Sequence, residues 1–284
     1  MASDRNILAR APEPDPHPDL TLDKGLHGQG VGRWVAEDKH RLLTTYIDAA
    51  RAAAKKGFAQ WVYIDPFCGP GRMQVQGESI TRPGGAVVAW RQSLASGTPF
   101  GKLLVGDISS EKVEACAARL RASGAPVQSF IGPAEETVVQ MVRAVPRNSL
   151  CLAYIDPYNL ALLSHPMLAA LAELRKVDFV VHFSTMDLYR NVDMELDPER
   201  ARFDNVSPGW RQRVEPSNKS NLADRMFADW SKQIQSLGFE FSEAMPLIKN
   251  TRGDEIYKLA FFASHDLPRR LWKDVARGEN HSLF

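Results

Sequence analysis

Cysteine is scarce in this 284-residue chain: Cys68, Cys116 and Cys151 make an odd set with gaps of 48 and 35 positions. That spacing builds neither a zinc site nor a disulfide framework, and it points to a reducing, cytoplasmic compartment. Long apolar runs are missing too. No stretch approaches the roughly 18 residues of a membrane span, so no membrane partner is expected. No signal-peptide core opens the chain, because "RAPEPDPHPD" (10–19) follows almost at once. Net charge is nearly absent, at +1, which excludes a global basic field for nucleic acid but not a local basic face. What remains is ordinary globular composition, 44% hydrophobic and 24% charged. The length suits one large α/β domain, with or without an insertion.

Prolines at 12, 14, 16 and 18 predict an extended, mobile tail over residues 1–25. From Trp34 to Ala54, apolar residues at 34, 35, 42, 43, 46, 47 and 50 keep helical spacing until Gly57. Strand-length apolar runs follow at "WVYID" (61–65), "KLLVGD" (102–107), "VQSFIG" (127–132), "SLCLAYIDP" (149–157) and "VDFVVHFS" (177–184). Helical patterns separate them, among them "EKVEACAARL" after Ser110 and "HPMLAALAELRK" (165–176). This alternation predicts a parallel sheet covered on both faces. An amphipathic helix (221–239) then precedes two strand-like runs, 239–248 and 255–264, joined by "KNTRGD". So short a link predicts an antiparallel hairpin. The outline is a Rossmann-like, class I methyltransferase fold with a mostly parallel seven-stranded sheet; a dehydrogenase sheet would continue in parallel. Residues 185–220 show no period and read as an insertion after strand five, in a domain spanning 30–268 with a C-terminal tail at 269–284.

Ligands of open parallel sheets sit outside the carboxyl ends of the strands, so the chemistry belongs at those corners. The first is "DPFCGPGR" (65–72). Gly69 and Gly71 remove side chains where a ligand must approach backbone. A dinucleotide fingerprint would add a third glycine and run directly into a helix, and a phosphate loop needs G-K-[ST]. Both are absent, and a ligand without phosphates, S-adenosylmethionine, fits better than a dinucleotide. Asp65, Pro66, Phe67, Gly69 and Gly71 are then candidates for its methionine end. A purely structural turn is the other reading.

Asp107, with Ile108 beside it, closes strand two, where a carboxylate accepts from ribose hydroxyls; capping near Ser109 is the alternative. Ala134 and Glu135 follow strand three as adenine contacts, or Glu135 serves the helix dipole. At the fourth corner, "YIDPYNL" (154–160) resembles the [DN]-P-P-[YFW] signature of amino-group methyltransferases. Asp156, Pro157 and Tyr158 are the catalytic candidates, although Tyr158 stands where a second proline would. Asn159, Asp187 and Arg190 are candidates for substrate contact. His182 is either a core histidine or a base. Arg200, Arg202, Arg211, Arg213, Lys219 and Arg225 would suit phosphates, but acidic residues are interleaved with them. No metal site is expected.

Trp34, "KHRLLTTYI", "YIDPFCGPGR", "GDIS", "YIDPYN", "HFSTMDLYRN" and "EIYKLAFFASH" resemble, in order, the three-Cys-motif partner proteins (TcmP) across residues 34–265. The resemblance implies a methyltransferase-type fold working beside a partner whose three cysteines resemble a radical S-adenosylmethionine cluster site. Three functions are in competition. The first is methyl transfer, for instance to an amino group of a nucleic-acid base. The second is a non-catalytic partner of a three-cysteine-motif enzyme, and the third is a nucleotide-dependent oxidoreductase or hydrolase.

Overall fold

Residues 61–64 alternate between two interiors. Trp61 and Tyr63 enter one apolar cluster and Val62 and Ile64 the other, so the strand they form is buried on both faces and its run is apolar throughout. The computed structural model describes residues 7–25, 28–197, 199–217, 220–250 and 252–278. Its sheet contains β1 (Gln60–Asp65), β2 (Lys102–Asp107), β3 (Val127–Ile131), β4 (Ser149–Ile155) and β5 (Val177–Phe183), followed by β6 (Glu240–Phe241), β7 (Leu247–Lys249) and β8 (Glu255–Ala263). The order is β3-β2-β1-β4-β5-β8, with β6 and β7 both on the free side of β8. The first five strands are parallel and β8 runs antiparallel to β5, pairing Ala260 with Val181. The fold is therefore mixed α/β, of the Rossmann-like methyltransferase type. The expected sixth strand is split into β6 and β7, which makes eight strands where seven were expected.

The helices are α1 (His40–Lys55), α2 (Gly85–Ala95), α3 (Ser110–Ala122), α4 (Ala134–Ala144), α5 (His165–Ala172), α6 (Thr185–Glu195), α7 (Phe203–Val206), α8 (Trp210–Arg213), α9 (Leu222–Ser236) and α10 (Asp266–Arg277). α1, α2, α3 and α10 cover one face of the sheet, and α4 to α9 cover the other. None is long and apolar enough to cross a membrane among the described residues.

Two expectations are corrected. Residues 185–220 fold as α6, α7 and α8, anchored by buried Leu188, Phe203, Val206 and Trp210. Phe203, Val206 and Trp210 keep helical spacing, but α7 and α8 are only four residues each, too short to show a period. Buried Glu195 replaces a local cap, accepting from the backbone N–H groups of Arg202 and Phe203 at 2.7 and 2.8 Å. Much of the insertion's basic content is paired: Arg211 with Asp204, and Arg213 with Asp229 at 2.7 Å. Lys219 lies outside the described residues. The second correction is the C-terminal tail. Residues 269–277 belong to α10, whose Leu271, Trp272 and Val275 are buried, with Trp272 stacked on Phe261 at 5.0 Å. That apolar face sits among four basic side chains, which masks it in composition. Residues 279–284 lie outside the described set.

The proline-rich segment is tied to the loop after β1, where the Glu13 N–H donates to the Thr81 carbonyl at 3.1 Å. Arg119 of α3 donates to the carbonyls of Thr21 (2.8 Å) and Pro70 (2.7 Å) and to the Asp15 carboxylate (2.8 Å). Arg72 holds Glu13 at 2.8 Å. The mobility expected of this segment is therefore open to measurement. Arg119→Met is expected to raise amide exchange over residues 13–25 by about tenfold or more while the sheet stays protected. Unchanged exchange there would remove Arg119 from the role of clasp.

Candidate functional site

The carboxyl ends of β2, β1 and β4 lie side by side, and each carries an aspartate: Asp107, Asp65 and Asp156. Asp65 is buried. One oxygen accepts from the Phe67 N–H at 3.0 Å and the other from the Tyr63 hydroxyl at 3.2 Å. Burial pushes its pKa up to about 8; the Phe67 N–H works against that rise, while the charges of Asp156 and Asp107 add to it. The chain then turns through Gly69 and Gly71, both left-handed at φ 55° and 74°. At Gly71 a Cβ would stand 3.1 Å from Cys116 Cα, whereas at Gly69 it would meet nothing within 4 Å. Gly84 closes against this turn, since its Cβ would lie 2.9 Å from the Gly71 carbonyl carbon. The floor is bare backbone.

Asp156 is held from two sides. Lys39 Nζ donates to Oδ2 at 2.6 Å, and His182 Nδ1 lies 2.6 Å from Oδ1. Burial works against ionisation of Asp156, but Lys39 and His182 outweigh it and hold the carboxyl below the usual range. The His182 ring packs on Tyr257 with centroids 3.7 Å apart, and Lys39 lies over the same ring at 5.6 Å. His40 is buried, and burial with Lys39 alongside pushes its pKa down to about 3, so it is neutral. Four buried polar atoms here have no hydrogen-bond partner among the described residues: His40 Nδ1, Tyr154 hydroxyl, Tyr257 hydroxyl and His182 Nε2. Unpaired buried polar atoms are uncommon in proteins and mark a place where a ligand or water is expected.

Lys39, His40, Asp65, Tyr154, Asp156 and the glycine turn line one cavity of about 130 Å³. A larger cavity of about 430 Å³ opens at the opposite rim, between Val145–Cys151 and Glu173–Lys176. It lies off the carboxyl ends, where parallel sheets bind ligands. The Asp65–Asp156 cleft is the candidate site.

The other expected residues take varied places. Asp107 accepts from the Ser109 N–H at 3.0 Å, and Ile108 is 74% exposed beside it. Ala134 is half-buried against the α4 side of the core, and Glu135 accepts from Asn205 of α7 at 2.9 Å. Pro66 and Pro157 are buried, Phe67 lines the cleft, and Tyr158 is 74% exposed. Asn159 Oδ1 is buried without a partner. Asp187 accepts from the Leu160 N–H at 2.9 Å and from Asn191, so it braces the Asp156 turn; Arg190 is exposed.

Lys39, His40, Tyr154 and Tyr257 escaped the sequence reading. One signal was available: Ala36, Lys39, Leu43 and Ile47 share a helical stripe, which puts a lysine on an apolar face. Lys39 also ends a π-helical turn, Val35–Lys39, a local irregularity that often marks functional sites.

No protein-family model matches the sequence, and neither does any curated protein. Among solved structures the chain is similar to cofactor-bound Rv0187 from MTB at 12% identity and TM-score 0.47, covering 93% of this chain and 88% of that one. It is similar to the SAH-bound Podospora anserina methyltransferase PaMTH1 at 12% identity and TM-score 0.39, covering 80% and 79%. It is also similar to the O-methyltransferase from Bacillus cereus in complex with SAH, at 8% identity and TM-score 0.41, covering 77% and 79%. At these values the likeness bears on fold alone, and the fold is read above from strand order.

Proposed function

We propose that this chain is an S-adenosylmethionine-dependent methyltransferase. One observation carries the reading. Three aspartates end three adjacent parallel strands beside a glycine-floored cleft, in a sheet closed by an antiparallel strand. Carboxyl groups at this rim would accept hydrogen bonds from the hydroxyl and ammonium groups of such a cofactor. The bare turn and the unpartnered Tyr154 hydroxyl suit a small polar end group entering the cleft.

In this reading Asp65, Pro66, Phe67, Gly69 and Gly71 take the methionine end, Asp107 and Ile108 the ribose, and Ala134 and Glu135 the adenine. Bound there, the cofactor supplies an electrophilic methyl group. The residues then have to align the acceptor more than to acidify it. Asp156 and the Pro157 carbonyl would accept hydrogen bonds from an acceptor amine, and exposed Tyr158 offers it a ring face. An exocyclic amine of a nucleic-acid base suits that order of groups, and a duplex base would have to be unstacked first. Asn159 and Arg190 border the same approach.

A second reading has one observation in its favour. Lys39 and His182 already engage both oxygens of Asp156, as they would in a methyltransferase-like chain that supports a three-cysteine-motif enzyme without transferring methyl.

Calorimetry with S-adenosylhomocysteine is expected to show binding to the wild type and its loss in Gly71→Ala, where a Cβ would press on Cys116. No binding to the wild type would sink both readings. Labelled methyl transfer to pooled cellular RNA or DNA that disappears in Asp156→Asn, with S-adenosylhomocysteine still bound, supports the first. Binding without any transfer supports the second.

A further inference from the structure

We infer that Lys39 and Asp65 form a subsite for a zwitterionic α-amino-acid end, with Lys39 taking the carboxylate and Asp65 the ammonium. The inference rests on the methyltransferase reading and adds a residue to it. It makes Lys39 the group that selects a methyl donor with a free carboxylate.

The cleft leaves no other cation for that task. Of the cationic side chains lining it, Arg72 is engaged elsewhere: Nε to the Thr81 hydroxyl at 2.8 Å, and the guanidinium to the Glu13 carboxylate at 2.8 Å and to the Glu13 carbonyl. His40 is neutral. Lys39 is 4% exposed, and its Nζ carries three N–H donors. One reaches Asp156, and the Tyr257 ring lies alongside. A buried ammonium with donors in hand, on the wall of a cavity, calls for an acceptor there.

Asp65 presents the complementary demand. It lines the same cavity, is 2% exposed, and among the described residues has only the Phe67 N–H and the Tyr63 hydroxyl as partners. Burial raises its proton affinity, the Asp156 and Asp107 charges add to the rise, and no countercharge is at hydrogen-bond distance among the described residues. An incoming ammonium supplies that countercharge. The cavity, of about 130 Å³, has room for an amino-acid end. Because Lys39 also holds Asp156, the same ammonium joins the donor's carboxylate to the acceptor-side aspartate. Arrival of the donor is therefore felt at Asp156.

The test compares two ligands by calorimetry: S-adenosylhomocysteine, and its decarboxylated form, which keeps the amine. The wild type should bind the first about 10- to 100-fold more tightly, as expected for one charge-assisted hydrogen bond to a buried group. In Lys39→Met that preference should vanish, with affinity for the decarboxylated ligand held within about twofold. The double variant Lys39→Met with Asp156→Asn strands no charge and should behave the same way, which keeps the comparison valid if the single variant folds poorly. Equal weakening for both ligands, or a preference that survives, would overturn the role of Lys39 while leaving the cofactor reading intact. A wild type that binds neither ligand would overturn both.

Discussion

Asp156→Ala is expected to lower folding stability by about 3–5 kcal/mol at pH 7, because it removes one partner of a buried ion pair. Lys39 is almost wholly buried, and its only charged partner at hydrogen-bond distance among the described residues is Asp156, at 2.6 Å. Truncation leaves its ammonium facing the Tyr257 ring, and leaves His182 Nδ1 with no acceptor. Removing both charges should restore much of the loss. A double-mutant cycle with Lys39→Met is therefore expected to show strong coupling. The acid limb gives a second check. The Asp156 carboxyl is held below its ordinary range in the folded state, so its contribution is present above the unfolded pKa and disappears as pH falls through the folded one. The difference between wild type and Asp156→Asn should shrink well below pH 4. Urea unfolding reads both effects. A loss under about 1 kcal/mol for Asp156→Ala would mean that Lys39 swings out to solvent and that no buried pair exists.

The second large effect has the opposite sign. Asp178 is 5% exposed on β5 and accepts from the Tyr46 hydroxyl at 2.8 Å. Burial pushes its pKa up to about 7, and the Tyr46 bond offsets only part of that rise. With a folded pKa above the unfolded one, its contribution is fully present below about pH 4. It is lost as pH rises toward 7, because the unfolded chain ionises first. Asp178→Asn keeps an acceptor for Tyr46 and abolishes the titration. The variant should therefore match the wild type near pH 4 and exceed it above pH 7, by up to about 4 kcal/mol. Unfolding midpoints at pH 4.5 and pH 8 decide the matter. An asparagine variant less stable at pH 8 would show that the carboxylate is ionised and paired in the folded protein.

Both effects come from side chains on the α1 face of the sheet, and both were hard to see in the sequence. His182 reads as one polar residue in an apolar strand and Asp178 as another, so nothing local says that one meets Asp156 and the other Tyr46. The insertion was opaque for a related reason. Its helices are held by single large anchors such as Trp210, and by Glu195 and Asp229, which bind groups 7 to 22 residues away. Helices of four residues, such as α7 and α8, are too short to show a period.

By itself the sequence determined the fold class, the strand corners and three aspartates at them. Those features follow from apolar runs, turn residues and strand ends, all local in the chain. Tertiary structure alone decided what surrounds Asp156. Lys39 is 117 residues distant from it and His182 is 26. They meet because the β1–β4–β5 order and the packing of α1 bring their faces together. Burial then converts three ordinary polar residues into one electrostatic unit. A periodicity is written in neighbours, but a buried charge is settled by whatever the fold places against it.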